Sequence, residues 1–81
     1  MIEIADGWSF FKADFSIKSF SNPLANGKVF LIRDCIGKKR WLNLTEEEQK
    51  YIPLYVFGEG CTLEIAIGEA NFKAERLPKL Y

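Results

Sequence analysis

The sequence predicts an α+β domain: a small antiparallel sheet of three to four strands with one main C-terminal helix packed on it. Three observations carry this expectation. Residues 62–77 repeat apolar side chains at helical spacing, residues 8–20 alternate apolar with polar, and 81 residues make one domain, 1–81. The alternative is a small all-β barrel in which Cys61 to Arg76 forms a hairpin.

Met1 to Gly7 is a lead-in that ends at the turn Asp6-Gly7. Trp8 to Phe20 is the first expected strand, with Phe11, Ala13, Phe15 and Ile17 alternating with Lys12, Asp14, Ser16 and Lys18. Trp8 and Phe10 fall out of phase, on the Lys12 and Asp14 side, and a β-bulge near Phe10-Phe11 would turn them inward. Ser21 to Gly27 is a loop holding the turn dipeptides Asn22-Pro23 and Asn26-Gly27. Lys28 to Ile36 is the second strand, and Val29-Phe30-Leu31-Ile32 is apolar on both faces, as a central strand would be.

Gly37-Lys38 or Gly37-Lys38-Lys39 then makes a tight turn into a third strand, Arg40 to Leu44, whose register both turn lengths leave open. Thr45 and Glu48 have the spacing of a capping box, three acids occupy the first turn, and Pro53 ends this short helix by Tyr51 or Ile52. Leu54 to Phe57 is a short strand, Gly58-Glu59-Gly60 turns the chain, and Lys79-Leu80-Tyr81 is a tail.

Residues 62–77 form the main helix. At ~100° per residue, Leu63, Ala66, Ile67, Ala70, Ala74 and Leu77 fall in one stripe. Thr62 is placed to cap the N-terminus, and Pro78 blocks continuation. Cys61, Leu63, Ile65 and Ile67 also alternate as a strand would, but the alternation stops at Gly68 while the helical stripe continues. Ile65 and Phe72 lie off the stripe, on the far side.

Gly60-Cys61-Thr62-Leu63-Glu64-Ile65-Ala66-Ile67, followed by Ala70 and Ala74, resembles the strand-to-helix junction of HicB-like antitoxins. The resemblance is confined to this stretch. It implies a strand, a Gly-x-Thr-Leu-Glu turn and an alanine-striped helix in that order, and a protein of antitoxin type. The DNA-binding segment that many such antitoxins carry has no counterpart before Tyr81.

Composition narrows the function classes. Eleven basic and eleven acidic residues cancel, which disfavours a general electrostatic nucleic-acid binder. There is no histidine, the commonest acid–base group and metal ligand. Cys35 and Cys61 stand apart and without a histidine, so they read as buried or half-buried structural thiols rather than a nucleophile or a zinc site. No Gly-x-Ser-x-Gly elbow is present, Gly58-Glu59-Gly60 lacks the rest of a phosphate-loop fingerprint, and Asp14 and Asp34 read as solvated strand charges. No catalytic residue, cofactor or metal is therefore expected. The start of the chain has no basic or apolar leader, and no apolar run reaches membrane-spanning length, so a cytoplasmic protein is expected.

Seven Phe, three Tyr and two Trp are many for this length and point to a core built on large rings or to apolar surface left over for a partner. The expected function is a non-enzymatic protein-binding module of antitoxin-like, inhibitor or adaptor type. It should associate as a homodimer, with Trp8, Phe10, Ile65 and Phe72 as partner-binding residues. The alternative is single-stranded nucleic-acid binding through a basic hairpin, with Lys38, Lys39 and Arg40 on phosphates and Trp41 stacked on a base.

Overall fold

A computed structural model describes residues 3–15 and 27–80 of the chain. The elements run β1 (Trp8–Asp14), β2 (Gly27–Arg33), α1 (Cys35–Leu42), α2 (Glu46–Tyr51), β3 (Tyr55–Gly60) and α3 (Leu63–Glu75). The three strands form one antiparallel sheet in the order β1-β2-β3, and α3 packs across β3 and β2. This is the expected α+β architecture. The expected strand beyond Asp14, from Ser16 to Phe20, and the Asn22-Pro23 turn lie outside the described residues.

β1 follows a turn in which the Trp8 amide donates to the Ala5 carbonyl and Gly7 takes a φ of 87°, a conformation glycine adopts without strain. Its register against β2 shifts between Phe10 and Lys12: Phe10 pairs with Leu31, and Lys12 pairs with Phe30. The extra residue is Phe11, so the bulge sits where the phase break in the sequence requires it. Before the bulge, Trp8 and Phe10 oppose Arg33 and Leu31; after it, Ala13 opposes Val29. Arg33, Leu31 and Val29 are all buried, so one inner face persists along a strand whose sequence changes phase.

α3 matches its stripe. Ala66, Ile67, Ala70 and Ala74 are buried, and the Thr62 hydroxyl accepts the Ile65 amide at 3.2 Å as N-cap. The alanines do more than favour helix. A Cβ at Gly58 would collide with the Ala66 carbonyl oxygen and the Ala70 amide, so strand and helix backbones nearly touch there. This explains a departure from the sequence reading. Gly58 and Gly60 lie within β3 rather than in a turn, because β3 needs residues without side chains under the helix. Asn71 of α3 adds a clamp. Its Oδ1 accepts the Ala5 amide at 2.8 Å, and its Nδ2 donates to the Glu3 carbonyl at 2.7 Å.

The expected hairpin at residues 37–41 and third strand at Arg40 to Leu44 are absent; residues 35–42 are helix α1. Asp34 ends β2 and caps α1, its Oδ1 accepting the Gly37 amide at 2.8 Å. Capping outweighs the Gly37-Lys38 turn signal, because it satisfies an amide that the helix start leaves without a partner. Lys39 and Arg40 then fall in the last turn, where the helix dipole favours cations. α2 carries the expected capping box, with Thr45 Oγ1 accepting the Glu48 amide at 3.2 Å and Glu48 Oε1 accepting the Thr45 amide at 3.1 Å.

Candidate binding face

The inner face of the sheet holds the core, and among the described residues no helix packs on the outer face. Alternation places Lys28, Phe30 and Ile32 of β2 on the outer face, opposite Glu59, Phe57 and Tyr55 of β3. The bulge adds two residues from β1. Phe11 and Lys12 together oppose Phe30, so both project outward.

Four rings meet on this face. Phe11 and Tyr55 have centroids 5.4 Å apart, and Phe30 and Phe57 5.8 Å apart, both pairs tilted. Phe11 and Tyr55 are each 48% exposed and Phe57 39%, whereas Phe30 and Ile32 are half-buried between them. Lysines lie over the rings. The Lys12 ammonium is 5.1 Å from the Phe30 centroid and 5.8 Å from that of Phe11. Lys28 lies 5.2 Å from Phe57 and Lys73 of α3 lies 4.6 Å from it. Acids share the surface: Lys28 pairs with Glu59 at 3.9 Å, and Asp14 stands opposite Lys28 in the register. The result is a flat aromatic patch bearing both signs of charge.

The sequence-derived partner residues are scattered. Trp8 is in the core, with the Arg33 guanidinium 4.5 Å from its ring centroid, so it offers no partner surface. The bulge turned it inward, as the sequence allowed. Phe10 occupies the helix side of the edge strand and stays 48% exposed, since α3 lies over β2 and β3. Ile65 and Phe72 are exposed on the outer side of α3, with Arg76 lying over the Phe72 ring at 4.9 Å. Of the basic cluster, Lys38, Lys39 and Arg40 are exposed on α1, not on a hairpin. Trp41 is half-buried and its Nε1 donates to the Ile52 carbonyl at 2.6 Å, which ties α1 to the end of α2.

The aromatic face itself was missed as a site. Its signal was present at spacing two: Phe30 and Ile32, then Tyr55 and Phe57, each on a strand whose other face is also apolar or glycine. Cys35 and Cys61 are free thiols, exposed rather than buried as expected, because Cys35 opens α1 and Cys61 lies between β3 and α3; among the described residues no three Cys, Asp or Glu side chains converge as metal ligands. Among the described residues no helix is long and apolar enough to cross a membrane. No family model, curated protein or solved structure gives a significant match to the chain.

Proposed function

We propose that this chain is a non-enzymatic protein-binding module, of antitoxin-like, inhibitor or adaptor type, working in the cytoplasm. One observation carries the reading: the outer sheet face gathers Phe11, Phe30, Tyr55 and Phe57, and among the described residues no helix or further strand lies over it. At ~200 Å² per aromatic side chain, Phe11, Tyr55 and Phe57 alone expose roughly 270 Å² at 48%, 48% and 39%. With Ile32 and the lysine stems added, the patch is comparable to the largest apolar patch of a typical monomer, which is often functional. β3 also runs directly into α3 through Thr62, which is the order implied by the resemblance to HicB-like antitoxins.

A second reading rests on Lys12, whose ammonium lies against two rings at once. Rings with adjacent cations form stacking platforms for single-stranded nucleic acid. The acids Asp14 and Glu59 on the same face weigh against a phosphate backbone, and so does the zero net charge.

A photoreactive phenylalanine analogue at position 57, cross-linked in the native cell, separates the two readings. The expected product is a protein adduct identified by mass spectrometry, with affinity for the purified chain that Phe57→Lys lowers at least tenfold. A nucleic-acid adduct, or oligonucleotide binding that weakens steeply with salt, overturns the protein reading.

A further inference from the structure

We draw no further inference here: the strongest candidate, the aromatic patch of Phe11, Phe30, Tyr55 and Phe57 on the outer face of the sheet, belongs to the site already described, and nothing in the structure shows what covers it.

Discussion

Arg33 joins three distant parts of the chain. Its Nε donates to the Pro53 carbonyl at 2.9 Å, its Nη1 to the Pro78 carbonyl at 2.8 Å, and its guanidinium lies over Trp8. Only 2% of it is exposed, and Nη2 is buried with no partner among the described residues. Burial holds its pKa below the ordinary arginine value, with the Asp34 carboxylate pulling the other way. Two part-buried hydrogen bonds, to the carbonyls of Pro53 and Pro78, depend on it, and a hydrogen bond to a charged group contributes more than a neutral one. Arg33→Met keeps the stem and removes the donors, so it should lower stability by about 2–3 kcal/mol in urea unfolding. Arg33→Lys should not restore it, since one ammonium does not reproduce two directed donors from a planar fork. None of this was legible in the sequence, where Arg33 stands at the end of an apolar run as any solvated strand charge would. Trp8 was half legible: its phase named the bulge, but its partner came from the register.

The elements divide by whether local or distant chemistry specifies them. Thr45 with Glu48, and Thr62 with the alanine stripe, fixed α2 and α3 within a residue or two of their ends, because caps and periodicity are local. For α1 the Gly37-Lys38 signal predicts a turn and a strand, whereas the Asp34 cap makes a helix. Gly58-Glu59-Gly60 was read as a turn, because only the approach of α3 explains glycine in a strand. That approach sets opposite outcomes for one substitution at two glycines. At Gly58 an added methyl meets the backbone of α3, so Gly58→Ala should destabilise by about 3 kcal/mol. At Gly68, an exposed position inside α3, a Cβ meets nothing within 4 Å, so Gly68→Ala should stabilise by about 0.5–1 kcal/mol. Chemical denaturation of the two variants checks both signs.

For the whole molecule, the layer arrangement was legible and the direction of its surplus surface was not. The sequence counted too many rings for one small core, but assigned the excess to Trp8, Phe10, Ile65 and Phe72 rather than to the outer sheet face. If two copies share that face, stability depends on protein concentration. The thermal midpoint should then rise between 1 and 100 µM chain, and a midpoint independent of concentration contradicts it. The sheet edges decide how such association ends. An edge strand with free backbone groups invites further strands without limit. Here β1 carries the Phe11 bulge, and on β3 the Glu69 carboxylate accepts the Glu59 amide at 3.3 Å while Lys73 bridges back to Glu69. A bulged edge, and an edge with one of its amides already taken, make poorer templates for polymerisation. Strand addition is hindered at the Phe11 bulge of β1 and at Glu59 of β3, so concentrated solutions should stay clear and free of fibrils.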